Sequence, residues 1–207
     1  DAFHTLSSED IIYEVTTYNP NLAFYTNAGR TVREGLESSV RLDTRAWHVS
    51  LGYAFTEAEF RTSLLLGTSS PAADANGEEQ VLPGARIPGI PKHRANLVLD
   101  VDVTPRVRIG GSVVTQSNVY RFGDEANLTA PLGGYTLVDL DASYRAGTHL
   151  SLFADVDNVF GKRYYTYGSF APVTAVPWPN IPGGVTDPRT ASPGMPLAAY
   201  GGVRVTF

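Results

Sequence analysis

The 207-residue sequence contains no cysteine, one methionine and two tryptophans. The absence of cysteine excludes a disulfide framework and any metal site built on thiolates. No stretch approaches the roughly 20 consecutive apolar residues that a membrane-spanning helix needs. Basic residues are outnumbered, 16 against 21 acidic ones, and they are scattered along the chain. A nucleic-acid-binding protein would instead show a basic face or stripe, so the sequence predicts no nucleic-acid partner.

Glycine, proline and aromatic residues are abundant, with 20 Gly, 14 Pro, 11 Tyr and 9 Phe, a composition typical of strands and turns. The last eleven residues show the pattern most clearly, because apolar residues recur at every second position. A period of two predicts a strand with one apolar and one polar face. The apolar set is Leu197, Ala199, Gly201, Val203, Val205 and Phe207.

Three pairs of alternating segments are separated by only two or three residues and predict β-hairpins. Their turns fall at residues 44–45, 104–106 and 146–148. A further strand is predicted near residues 10–16, which brings the total to about eight. The expected cross-strand pairs are Leu42–Trp47, Val40–Val49, Arg41–His48, Val101–Ile109, Asp102–Arg108, Val103–Val107 and Tyr144–Leu150.

The connections fall into two classes, and the long ones cover residues 17–31, 61–92, 122–134 and 161–195. Because consecutive strands are antiparallel, all short turns lie at one end and all long loops at the other. Outer-membrane barrels have this asymmetry, with short periplasmic turns and long extracellular loops. The expected fold is all-β, an antiparallel transmembrane barrel segment of about eight strands. Its polar face fits a wet or plugged lumen and carries Arg33, Glu37, Arg41, His48, Asp100, Asp102, Arg108, Asp139, Asp141 and Asp155.

The order of several short motifs resembles the C-terminal part of TonB-dependent outer-membrane receptors, most closely the ferric-citrate-receptor-like branch. The chain also ends on residues 203–207, similar to the terminal strand with a final Phe that outer-membrane barrels present to their assembly machinery. The motifs that carry the resemblance are Phe24–Gly29, Glu34–Glu37, Ile87–Arg94, Gly123–Asn127, Gly134–Asp139 and Asp157–Tyr165.

This resemblance implies a Gram-negative outer-membrane barrel, plugged by a globular domain, that imports a ferric siderophore or another metal chelate. Residues 1–207 are expected to be the C-terminal part of that barrel, without the plug domain and the TonB box. The implied partners are outer-membrane lipid, the remaining barrel strands and plug, and the barrel-assembly machinery through Phe207. Coupling to TonB, ExbB and ExbD is expected only through the full-length parent.

Four residues in or beside the long loops are candidate ligand contacts. Arg86 and Arg121 are suited to attract an anionic chelate, although an exposed arginine is more often simply solvated. Phe170 and Trp178 can stack on a ligand in the vestibule, or they can belong to an aromatic belt at the membrane interface.

Catalytic and metal-binding roles are not expected. The histidines, at positions 4, 48, 93 and 149, are too dispersed for a metal cluster. The group Asp124, Glu125 and Asn127 fits a solvated loop tip better than a site for a hard cation. Serine, histidine and aspartate show no triad-like arrangement. The sequence therefore predicts neither an enzyme nor a cofactor.

Two other interpretations stay open. Eight strands can close into a complete small outer-membrane barrel, acting as a structural protein or a narrow pore. A secreted, carbohydrate-binding β-sandwich is also conceivable. It would require a second sheet to bury Trp47, Val49, Leu51, Tyr53 and Phe55.

Overall fold

The computed structural model describes residues 1–19, 22–173 and 185–207. Eight of its strands form one antiparallel sheet in the order β1-β2-β3-β6-β7-β8-β9-β12, which confirms the predicted strand count. In the described residues no helix is long and apolar enough to cross a membrane. The strands are β1 (Ala2–Val15), β2 (Ala23–Asp43), β3 (Trp47–Phe60), β4 (Leu64–Gly67), β5 (Glu78–Val81), β6 (His93–Thr104), β7 (Val107–Gln116), β8 (Tyr135–Arg145), β9 (Leu150–Asp157), β10 (Tyr165–Phe170), β11 (Arg189–Pro193) and β12 (Ala198–Val205).

The sheet has one polar and one apolar face, because directly paired residues of neighbouring strands point to the same side. Trp47 pairs with Val101 on the apolar face, and the next residue along, His48, pairs with Asp100 on the polar face. Farther across the sheet, Gly110 pairs with Asp141 and Asp141 with Asp155, so the polar face continues without interruption. Residues on the apolar face remain accessible: Trp47, for example, is 51% exposed.

The short connections share one end of the sheet, called the turn end here, and the long ones share the other, called the loop end. Phe207 lies at the turn end, since the neighbouring Thr206 amide donates a 3.0 Å hydrogen bond to the His149 carbonyl in the β8–β9 turn. The strands β4, β5, β10 and β11 form two small sheets within the loops. The predicted separation of turns from loops is confirmed.

The register of two hairpins differs from the prediction by two residues. Leu42 pairs with Val49 rather than Trp47, and Tyr144 pairs with Leu152 rather than Leu150. The first turn is longer because the Thr44 hydroxyl accepts a 2.9 Å hydrogen bond from the Trp47 amide. A shift of two keeps every side chain on its predicted face. The remaining register changes are Val40 with Leu51 and Arg41 with Ser50.

In the β6–β7 hairpin, Asp102 pairs with Arg108 as predicted, and so does Val101 with Ile109. The predicted pairing of Val103 with Val107 is wrong, because a bulge at Val103 brings Thr104 opposite Val107. The first loop is also shorter than predicted: β2 starts at Ala23, inside the predicted loop at residues 17–31.

Neither alternative architecture matches this arrangement. β1 and β12 are the two edges of the sheet, so the described residues do not close into a small barrel. No second sheet covers the apolar face in the part of the chain that the structure describes, where Trp47 and Leu51 stay exposed. The sandwich prediction is therefore wrong, because the second sheet that it requires is missing from the described residues, and the sheet that is present is open at both edges.

Candidate ligand-binding cavity at the loop end

A small apolar core lies at the loop end, on the polar-face side of the sheet. Phe60 pairs with Thr31, which shares its face with Arg33. Phe60 is completely buried and packs with Ala28, Leu66 and Val81. Because Leu66 and Val81 come from β4 and β5, the long loop at residues 61–92 folds inward over the lumen side rather than outward.

The same loop returns along β3 and continues the sheet beyond the start of β6. The Phe60 amide donates to the Ala85 carbonyl at 2.9 Å, and the Ile87 amide donates to the Ala58 carbonyl at 2.9 Å. Glu59 and Arg86 form an antiparallel bridge between these two segments. The returning chain thereby supplies the backbone partners that β3 would otherwise lack above Phe55.

Asn127 joins this loop to the next one, at residues 117–134. Its side-chain oxygen accepts a 2.6 Å hydrogen bond from the Arg86 amide, and its side-chain nitrogen donates to the Arg86 carbonyl at 3.0 Å. Asn127 has a positive φ of 60°, a conformation that asparagine tolerates better than most residues. The side chain therefore imitates a strand partner and connects two loops that are distant in sequence.

Asp124 and Glu125, predicted to form a solvated loop tip, are instead buried, at 0% and 8% exposure. Asp124 accepts hydrogen bonds from the Leu128 amide at 2.7 Å and from the Thr129 hydroxyl at 2.6 Å. The loop tip prediction is wrong because these acids organise the turn beneath neighbouring loops. The described residues contain no group of three acidic or histidine side chains arranged to hold a metal ion.

A third buried acid, Glu79 of β5, joins this group. One of its carboxylate oxygens accepts a 3.1 Å hydrogen bond from the Ala126 amide, and the other, Oε2, is buried without a partner. Burial raises the pKa of Glu79 from 4.5 to about 7 and that of Glu125 likewise to about 7. The negative charge of nearby carboxylates contributes to these raised pKa values, so both acids are mostly protonated in the folded loops below about pH 7.

Replacement of Glu79 by glutamine is expected to flatten the pH dependence of stability. Between pH 4.5 and about 7 the unfolded chain loses a proton that folded Glu79 keeps, so stability falls as pH rises and levels off above 7. The neutral amide avoids this loss and gains up to about 3 kcal/mol near pH 8. Thermal unfolding in detergent across this range, with Glu78→Gln as the matched control, measures the effect. Identical profiles for the two variants would contradict it.

A cavity of about 430 Å³ lies at the loop end beside this core. Its walls are mostly aliphatic and aromatic, a composition typical of small-molecule sites. Phe122 and Tyr167 stack in the wall with ring centroids 5.3 Å apart and an interplanar angle of 19°. The polar groups that line it include Thr68, Ser169 and the neighbouring carboxyl of Glu125.

Phe170 lines the cavity, as its candidate role requires. It is held there by backbone bonds between β10 and the preceding loop: the Phe170 amide donates to the Phe122 carbonyl at 3.1 Å, and the Phe122 amide donates to the Gly168 carbonyl at 3.0 Å. Phe122 and Tyr167 also line the cavity but are not among the ligand contacts predicted from the sequence. Their only local signal is aromatic character within long loops.

The two candidate arginines lie outside the cavity wall. Arg86 donates to the Ile90 carbonyl at 3.2 Å and lies over the Tyr120 ring, 5.4 Å from its centroid. Arg121 donates to the Ala130 carbonyl at 2.7 Å. Arg86 therefore links the loop at residues 61–92 to Tyr120 of the next loop, whereas Arg121 bonds within its own loop. Trp178 lies outside the described residues.

Gly89 allows the loop at residues 61–92 to approach the aromatic wall. Its φ is +76°, and a Cβ atom there would lie 2.5 Å from Cζ of Phe122. Gly89→Ala is expected to destabilise the loop end by about 2 kcal/mol through backbone strain and displacement of that ring. Gly84→Ala is the control, since Gly84 also has a positive φ of +95° but no atom within 4 Å of the added Cβ. Urea unfolding in detergent measures the stability of both variants. Equal losses of stability would show that contact with the Phe122 ring does not contribute to the effect of Gly89→Ala.

A family model described as TonB dependent receptor-like, beta-barrel, matches residues 1–159. A probable TonB-dependent siderophore receptor PiuA of Acinetobacter baumannii is 28% identical over 143 residues, which is 69% of this chain and 18% of the relative. A metal-pseudopaline receptor CntO of Pseudomonas aeruginosa is 30% identical over 95 residues, covering 45% of this chain and 13% of the relative. The aligned stretches thus span less than a fifth of the length of these relatives.

Solved structures show the same fold at low sequence identity. The crystal structure of the Acinetobacter baumannii PiuA receptor superposes with a TM-score of 0.69 at 21% identity, covering 99% of this chain and 25% of that one. The ferric-catecholate import receptor Fiu of E. coli K12 gives a TM-score of 0.62 at 20% identity, covering 98% of this chain and 24% of that one. In both cases the match is to about a quarter of the larger protein.

Proposed function

Because the chain belongs to the TonB-dependent receptor β-barrel family, whose members are outer-membrane proteins of Gram-negative bacteria, we propose that it helps a plugged barrel to import a metal chelate. The proposed ligand class is a ferric siderophore or a related chelate. The observation that carries the proposal is the two-faced sheet with an aromatic cavity at its loop end. Relatives named as siderophore and metal-pseudopaline receptors support the ligand class.

Each part of the segment has a role in this proposal. The apolar face contacts lipid, the polar face lines the lumen and meets the plug, and the loop end faces outward with the cavity in the vestibule wall. The edges β1 and β12 pair with the remaining strands of the barrel. Phe207 presents the last strand to the barrel-assembly machinery. Coupling to TonB, ExbB and ExbD runs through the rest of the receptor, and the chain has no catalytic role.

Phe122, Tyr167 and Phe170 are the proposed ligand contacts, with Trp178 as a further one from the sequence. Aromatic walls bind flat or apolar groups by stacking and exclusion of water. Arg86 and Arg121 retain their proposed attraction for anionic chelates, and each also donates a hydrogen bond to a carbonyl group of its own loop. The ferric-citrate-receptor-like branch remains a prediction.

Growth of cells under iron limitation tests the proposal. Cells that depend on the receptor containing this segment are supplied with a panel of single ferric chelates. Growth on one of the chelates is the expected result. Tyr167→Ala is expected to lower the uptake rate of that chelate at least tenfold, and Tyr18→Ala, at an exposed site, is expected to leave it unchanged. Growth that is independent of the receptor on every chelate would contradict the proposed transport.

A further inference from the structure

Arginines are concentrated at the turn end of the sheet. The turn-end segments, residues 41–48, 102–108, 143–151 and 203–207, contain six arginines and only two aspartates. The chain as a whole has a formal net charge of −5, so this end is positive in an acidic protein. The six are Arg41, Arg45, Arg106, Arg108, Arg145 and Arg204.

Three of these arginines surround a second cavity, of about 250 Å³, at the turn end. Arg106, Arg145 and Arg204 line it, and none of the three takes part in an ion pair within the described residues. Arg108, which also lines it, differs because it donates two hydrogen bonds to Asp102 at 2.8 and 3.0 Å. Asp102 also lines the cavity but is paired with Arg108, so three arginines are left there without an ion-pair partner in the described residues.

The register places this charge on the polar face. Arg145 and Arg204 both pair with Ser151, one from each side of β9, and so share its face. Two strands that flank a third lie roughly 10 Å apart, a distance that one extended carboxylate-bearing segment can bridge. Lipid headgroups approach the other face, where Val203 and Leu152 pair. The partner of these arginines must therefore enter from the lumen side.

Phe153 adds an aromatic surface to the lining of the cavity. The ring of Phe153 lies across Gly202, where a Cβ atom would be 2.7 Å from Cζ of that ring. Glycine at this position lets the ring lie close to the strand instead of standing in the opening. A peptide backbone can rest on such a surface while its side chains reach the arginines at the rim.

We propose that this turn-end arginine cluster binds an acidic, carboxylate-rich peptide segment within the barrel lumen. Arginine matches the planar carboxylate with two parallel hydrogen bonds, which gives geometric selectivity beyond net charge. The 143 residues that align with the PiuA relative make up only 18% of that receptor, so most of the polypeptide of such a receptor lies outside this chain and can supply the segment. The inference does not depend on the identity of the transported ligand.

Peptide binding to the 207-residue chain in neutral detergent tests the proposal. The probe is a fluorescein-labelled peptide of alternating glutamate and serine, with a lysine-serine peptide as its counterpart, and binding is followed by anisotropy. Arg145→Gln with Arg204→Gln is expected to weaken binding of the glutamate peptide at least tenfold. Arg30→Gln with Arg163→Gln removes the same charge from the loop end and is expected to change the affinity for the glutamate peptide less than twofold. Lysine at positions 145 and 204 is expected to give an intermediate loss.

Three outcomes would overturn the proposal. Equal weakening by the two glutamine pairs would show that net charge alone attracts the peptide. Failure of the glutamate peptide to bind the wild-type chain would show that the proposed site does not exist. The proposal would also fail if binding of mixed micelles that contain phosphatidylglycerol depended more strongly on Arg145 and Arg204 than binding of the glutamate peptide does, because the cluster would then be a lipid site. Circular dichroism of each variant checks that the sheet is intact, and the lysine pair provides the test if the glutamine pair fails to fold.

Discussion

Replacement of Phe60 by alanine is expected to lower the free energy of unfolding of the loop end by about 3–5 kcal/mol. Phe60 is completely buried, and its ring packs with Ala28 of β2, Leu66 of β4 and Val81 of β5. Truncation leaves a cavity among these segments, and the surrounding loops cannot collapse fully to fill it because backbone hydrogen bonds hold them in place. Hydrogen exchange of the Ile87 amide, which donates to the Ala58 carbonyl, reports the loss as exchange more than a hundredfold faster.

Phe160→Ala is the matched control. Phe160 is the same residue type in a neighbouring loop but is 78% exposed, so its removal is expected to change stability by less than about 0.5 kcal/mol. The comparison separates loss of the buried ring from any general effect of shortening a phenylalanine. Equal exchange rates for the two variants would show that the loop at residues 61–92 does not dock on this core.

Replacement of Asp124 by alanine is expected to cost about 3 kcal/mol, the second largest effect. The buried carboxylate accepts hydrogen bonds from the amides of Leu128 and Thr129 and from the Thr129 hydroxyl. Alanine leaves these donors without a partner in a site that water does not reach, and their desolvation is then uncompensated. Proteolysis within residues 117–134 is expected to accelerate about a hundredfold, because it follows the population of the opened loop.

Asp74→Ala separates the effect of burial from the effect of turn chemistry. Asp74 makes a similar pair of bonds, from the Asn76 amide at 2.8 Å and from the Glu78 amide at 2.9 Å, but it lies in an exposed turn. Water can replace its oxygens there, so the expected cost is about 1 kcal/mol or less. Asp124→Asn keeps one acceptor and should fall between the two. A loss at Asp124 no larger than that at Asp74 would contradict the buried turn.

Strand number, face assignment and separation of turns from loops could all be predicted from the sequence, because alternation is a local property. The register of two hairpins could not. The register depends on hydrogen bonds within the turn, such as the one that the Trp47 amide donates to the Thr44 hydroxyl, and alternation does not encode these bonds. The start of β2 was missed for a related reason. Gly29 has a positive φ of 65° and interrupts the period of two near Asn27.

The site was harder to predict than the sheet. Phe170 was identified by its aromatic character, whereas Phe122 and Tyr167 become a stacked pair only through contacts between separate loops. Asp124 and Glu125 carry charge, which locally indicates exposure, yet the loop at residues 61–92 covers them. Burial of this kind depends on how distant segments dock, and no motif spacing records it.

Lipid contact along β6 tests the central claim, that this sheet is part of a membrane barrel with one lipid-facing side. The chain has no cysteine, so single cysteines at positions 97–100 can each carry one fluorophore without background. They are introduced into the receptor that contains this segment and measured in vesicles with brominated lipid. If the apolar face contacts lipid, quenching is expected to be strong at positions 97 and 99 and weak at positions 98 and 100. Uniform quenching, or the opposite alternation, would contradict it.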